Sequence, residues 1–220
     1  MPDKPLKRKV MVLKKRYKAG SQMWFTPDDR LDKKLRGFGC GVVALHDLVA
    51  YKGYIDVPVS RNEFKERIRR MEKGGIFVFP GLGIAPYYYP ILCNLYLARH
   101  HMKLRMGWGH TAVYELKHNA RDIKRCLKND CPVIFAAGPT IPFLFRKKTV
   151  PLRALNKKET GRYTKAHYMT VLSLEEKDGD IWLDVATWSE RLCISLKDLV
   201  KYSRYTMPFS TRFYRIHEIR

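Results

Sequence analysis

From Gly74 to Ala98 the chain runs for 25 residues without a charged side chain, GGIFVFPGLGIAPYYYPILCNLYLA, and no other stretch limits the available folds as much. Its length would suit a membrane span of about 20 residues. Pro80, Pro86 and Pro90, four glycines and three consecutive tyrosines argue against one continuous helix. Proline lacks the N–H that a helix interior needs, and glycine loses too much backbone freedom there. The stretch therefore reads as an irregular, aromatic-rich segment packed on a core or lining a cleft. With 220 residues, 45% of them hydrophobic, the chain can bury one sizeable core, which excludes wholesale disorder.

The apolar period on either side sets the class. In GFGCGVVALHDLVAYKG, Val42, Leu45, Leu48 and Val49 share a helical stripe, with Gly53 as the stop. Ser60 and Glu63 form a capping-box pattern ahead of NEFKERIRRMEK, and NARDIKRCLKND is amphipathic with Asn119 as its expected cap. A His/Met-rich connection lies between them. CPVIFAAG, HYMTVLSLEE, DIWLDVATW, RLCIS and TRFYRIH read as strands, with a hairpin turn at Lys177–Asp180 and a short helix at SLKDLVKYS. Helices first and a largely antiparallel sheet after them predict an α+β fold. Residues 1–36 hold twelve Lys/Arg against four Asp/Glu without a sustained apolar period, and read as a basic arm before a single domain over 37–220.

A formal charge of +22 implies an anionic partner, surface or substrate, and nucleic acid is one candidate. Eight Lys/Arg lie in the 146–165 connection, where Arg146, Lys147, Lys148, Arg153, Lys157 and Lys158 are expected to border a cleft and favour acidic substrates. The N-terminus offers only MVL as an apolar run, too short for a signal-peptide core, so the expected setting is cytoplasmic. Five cysteines without a repeated short spacing fit neither a disulfide framework nor a zinc site, and no cofactor is implied.

Cys40 is the residue with chemistry to offer. At the start of a helix it meets the positive end of the dipole and unpaired N–H groups, which favour a thiolate, while Gly39 and Gly41 let a substrate backbone approach. Its base must come from elsewhere. His46 lies about 240° around the same helix and roughly 9 Å along it, out of reach. His167 opens an apolar strand directly after the basic connection. Asp184, in the next strand, is placed to accept the His167 Nδ1–H and orient the ring.

GFGCGVVALHDLVAY, PVIFAAG, HYMTVLSLEE and LDVATWSERLCISLKDL together resemble the papain-like cysteine peptidases, in particular the bacterial bacteriocin-leader (double-glycine) peptidases, over roughly residues 35–202. The resemblance implies a papain-like fold and acyl transfer to peptide or protein substrates, with Cys40 as thiolate, His167 as imidazolium and Asp184 as orienter. It implies that Trp188 shields the edge of this triad. In the papain register the orienting position falls on Ala186, and the oxyanion-hole glutamine falls on Lys34; the nearest upstream glutamine is Gln22, eighteen residues before the cysteine. The alternatives are a polyanion-binding protein with a merely structural Cys40, and an inactive peptidase homologue.

Overall fold

The computed structural model describes residues 9–14, 17, 19–58, 60–111, 116–141, 147–177 and 179–219. The first eight residues of the expected basic arm, and Arg146, lie outside them.

Two helices meet end to end at the glycine cluster. α1 (Arg30–Phe38) starts at Asp29, whose carboxylate accepts the Asp32 N–H at 2.8 Å, and α2 (Cys40–Tyr51) follows after Gly39 alone. Any Cβ at Gly39 would collide with the Leu35 carbonyl oxygen, so only glycine allows a new helix to start this close to the old one. The expected stripe of α2, Val42, Leu45, Leu48 and Val49, is fully buried, and Gly53 stops the chain's helical run at φ +79°. α3 (Arg61–Lys73) is capped as its sequence predicts, the Ser60 hydroxyl accepting the Glu63 N–H at 3.1 Å. The Glu63 carboxylate is paired with Arg67 one turn on.

Among the described residues the sheet has nine strands: β1 (Lys9–Val12), β2 (Leu104–Thr111), β3 (Val133–Ala137), β4 (Val150–Arg153), β5 (Glu159–Thr164), β6 (His167–Lys177), β7 (Asp180–Thr187), β8 (Glu190–Ser195) and β9 (Arg212–Glu218). Its order is β2-β9-β3-β6-β7-β8-β4-β5, with every pairing antiparallel and β1 attached to β6 beyond the end of β3. Strand β6 is the spine. Its first eight residues are all buried, and α2 lies against it. Helices α4 (Tyr89–Arg99), α5 (Leu116–Lys128) and α6 (Leu196–Ser203) complete an α+β fold.

Several expectations change. The first 36 residues are no arm from residue 9 onward: Val10 and Met11 pair with Glu175 and Leu174, and Leu13, Phe25 and Leu35 are buried. The strand is only four residues long, so no period betrays it. The basic connection over 146–165 contains the β4–β5 hairpin, which buries Val150 and Leu152; Arg153 and Lys157 pack over the Trp182 ring and pair with Asp198 and Glu175, while Lys147, Lys148, Lys158 and Arg162 are exposed. The His/Met-rich connection includes β2. Asn119 is not a cap, since α5 begins three residues earlier and buries it. Within the uncharged stretch only the first part is irregular. Tyr89–Arg99 is helical because Pro90 falls in its first turn, where no N–H is required. No helix among the described residues is long and apolar enough to cross a membrane.

Candidate active site

The end-to-end helix junction and the start of β6 bring Cys40 and His167 to one small chamber of about 20 Å³. Gln22, Asp47, Tyr168, Thr187 and Trp188 are among the other residues that line it. Such a volume holds about one water. Cys40 is half-buried, whereas the other four cysteines are buried, and all five are free thiols.

Burial sets the charge state of the pair. It pushes the Cys40 thiol up to about 11; the N–H groups of Tyr168, Gly41 and Cys40 act in the opposite direction without offsetting it. It pushes the His167 imidazole down to about 4. Burial thus favours the neutral form of each group and opposes the thiolate–imidazolium pair expected from the helix dipole. Desolvation is set against a dipole effect of at most about a couple of kcal/mol.

His167 is held on two sides. Its Nε2 lies 2.6 Å from Thr187 Oγ1, and its ring stacks on Trp188 with centroids 4.8 Å apart and planes 28° from parallel. Trp188 thus covers one face of the imidazole. The Trp188–Ser189 turn between β7 and β8 has φ +48° and +62° at its two central residues, and Ala166, just before His167, has φ +47°. Two-residue hairpins of this kind favour Asn-Gly, and bulky residues at positive φ are strained. Three non-glycine residues at positive φ, one of them the bulky Trp188, thus lie just before His167 and in the turn that covers it.

Asp184 is not the orienter. The β6–β7 hairpin pairs Lys177 with Asp180, so Asp184 falls opposite Ser173, six residues along β6 from His167. At about 3.3 Å per residue this is roughly 20 Å away. Its carboxylate accepts from the Arg191 guanidinium at 3.3 Å. The residue that reaches the ring is Thr187, next to the Ala186 that the papain register singled out.

Lys34 does not supply the missing amide either. It sits on the α3 side of α1, paired with Glu72 and stacked over the Phe77 ring at 5.2 Å. Gln22 occupies the chamber instead. The short 3₁₀ turn Gln22–Trp24 carries it there; its Nε2 donates to the Arg36 carbonyl at 3.0 Å, which fixes the amide with a second N–H to spare. Arg36 in turn donates to the carbonyls of Met23 and Phe25 at 2.8 and 2.7 Å, anchoring the turn to α1. Sequence spacing missed Gln22 because α1 is inserted between it and the cysteine; the Asp29 cap and the Leu31–Leu35 spacing were the signal that a helix lay there.

The remaining expected contacts are reassigned. Gly41 faces the core, where a Cβ would meet Ile84 and Tyr89 at 3.1 and 3.2 Å, and Gly39 is buried against α1, so neither glycine offers substrate an open backbone. Lys147 and Lys148 are exposed and are not among the described residues lining the chamber; Lys148 lies over the Tyr205 ring at 5.0 Å. Among the described residues no three His, Cys, Asp or Glu side chains converge on a metal-sized site. No protein-family model matches the chain, and neither a curated protein nor a solved structure does.

Proposed function

We propose that the chain is a papain-like thiol hydrolase that cleaves or transfers an amide acyl group through Cys40. The observation that carries the reading is a nucleophile at a helix start and a buried histidine sharing one chamber, with that histidine tethered on its far nitrogen and covered by an indole. A nucleophile-bearing helix packed on an antiparallel sheet, with the base at the first residue of the central strand, supports the papain-like topology.

With Nε2–H donating to Thr187 Oγ1, the lone pair of His167 is on Nδ1. As Cys40 Sγ bonds to the carbonyl carbon, Nδ1 takes the thiol proton, and the C=O π pair moves onto oxygen. The Cys40 N–H and the second N–H of Gln22 receive that oxyanion. Collapse re-forms C=O, breaks the C–N bond and returns the proton from Nδ1 to the departing amine. Water then attacks the thioester with the same histidine as base, releasing the acid and the thiol. Because burial favours the neutral form of both partners, proton transfer accompanies attack and does not precede it.

The test is labelling by a peptidyl acyloxymethyl ketone, in which Sγ displaces the carboxylate and forms a thioether. One adduct on Cys40, absent in Cys40→Ala and slowed about 10²-fold or more in His167→Ala, is the expected result. Absence of an adduct in the wild type, or labelling indifferent to His167, would overturn the reading.

A further inference from the structure

One buried carboxylate near the chamber has no part in the chemistry above. Asp47 lies two turns along α2 from Cys40 and is 6% exposed. Its Oδ2 accepts the Gly20 N–H at 2.6 Å, and its Oδ1 lies 3.0 Å from His46 Nδ1. Burial raises its pKa, so it is held there against a desolvation cost, as a carboxylate with a specific partner can be. Gly20 is also gripped on its other sides. Its carbonyl accepts the Ser189 N–H at 3.0 Å, and a Cβ in place of its hydrogen would collide with the Phe64 ring.

Gly20 therefore joins two segments that must both be right for the chemistry. Two residues on is Gln22, the proposed oxyanion donor; across its carbonyl bond is the Thr187–Trp188–Ser189 corner that tethers and covers His167. The same residue forms part of the partition between the Cys40 chamber and a larger cavity of about 610 Å³; Ala19, Gly20, Asp47 and Ala186 line both. We infer that Asp47 is a positioning residue of the active site, acting through Gly20 to set Gln22 and the Trp188 corner relative to Cys40. This rests on the thiol-hydrolase reading. It adds that the geometry of the oxyanion site is controlled from the middle of α2, by a carboxylate whose oxygens are engaged by the Gly20 N–H and His46 Nδ1.

Two probes separate positioning from reactivity. Iodoacetamide alkylation of Cys40 forms a thioether with loss of iodide and develops no oxyanion. An N-acetyl-dipeptidyl aldehyde adds the thiol to C=O, the sulfur bonding to carbon, the thiol proton passing to His167 Nδ1 and the π pair moving onto oxygen, and so depends on the oxyanion donors. The readout is aldehyde affinity divided by alkylation rate. In Gln22→Ala this ratio falls by about 10²–10³. In Asp47→Ala it falls by about tenfold or more, since a small misplacement of a catalytic donor is enough. Asp47→Asn, which keeps an oxygen for the Gly20 N–H, restores most of it; a role that depended on the charge itself would not be rescued.

If Asp47→Ala does not fold, Gly20→Ala perturbs the same node from the Phe64 side, and Gly20→Ala with Phe64→Ala relieves it. An unchanged ratio in whichever of Asp47→Ala and Gly20→Ala folds, with a wild type that binds aldehyde, overturns the positioning role alone. A wild type that binds no aldehyde and alkylates without help from His167 overturns the thiol-hydrolase reading and this inference with it.

Discussion

Replacing His167 by alanine should reduce Cys40 reactivity by an amount that depends on pH in a way the structure fixes. Burial holds the thiol at about 11 and the imidazole at about 4. At pH 7 a thiol with that pKa is thiolate in about one molecule in 10⁴, against about 3% for an unperturbed cysteine of pKa about 8.5. Without a base, labelling at pH 7 must draw on that trace and rise about tenfold per pH unit toward pH 10. With His167 as general base the rate is raised by about 10²–10⁴ and should be flat, falling only when the imidazole protonates below about pH 5. The wild-type and His167→Ala curves should therefore differ by orders of magnitude at pH 6–7 and converge by about pH 10. Stopped-flow or quenched labelling with the acyloxymethyl ketone, read by intact mass from pH 4 to 10, measures both curves. An acid limb centred near 6.5 in the wild type would show an ordinary solvated histidine. A constant ratio between the two proteins across the range would refute the general-base argument outright.

Thr187→Val, which removes the oxygen beside Nε2, should cost about 10–10²-fold in labelling rate, while Thr187→Ser retains it. Asp184→Ala, losing only a pairing with the exposed Arg191, should stay within about twofold in the same assay. His167 also makes stability depend on pH. Its folded pKa of about 4 lies below the unfolded value of 6.5, so the unfolded chain binds the proton first and stability is lost as pH falls from about 6.5 to 4. The loss attributable to this 7%-exposed side chain approaches about 3 kcal/mol and should be missing from urea titrations of His167→Phe.

The displacement of Asp184 and the arrival of Thr187 have different physical origins, and the first is readable in the sequence. A Lys-Asp-Gly-Asp turn that pairs Lys177 with Asp180 already places Asp184 opposite Ser173 and brings the residues around 189 and 190 level with His167. Asp184 does lie in the strand next to His167, but register excludes it, because residues in adjacent strands can still be the length of a strand apart. Thr187 was invisible for a different reason: a neutral hydroxyl takes the place where a carboxylate or amide was sought, and it reaches the ring from the last residue of β7, just before the Trp188–Ser189 turn. The helix stripe of α2 and the buried run of β6 were legible because burial writes itself as a period. Gln22 was legible only after the helix between it and Cys40 had been counted. The lowered basicity of His167 comes from burial, which the Thr187 hydroxyl does not offset. A hydroxyl at Nε2 offers an imidazolium less than a carboxylate would, so a buried ring partnered by Thr187 stays neutral and must act as a base during attack. Introducing the charge that sequence reasoning expected, as Thr187→Asp, should then raise the acid limb of the labelling profile toward neutral pH. An unmoved limb would mean that desolvation alone, and not the missing carboxylate, sets the His167 pKa.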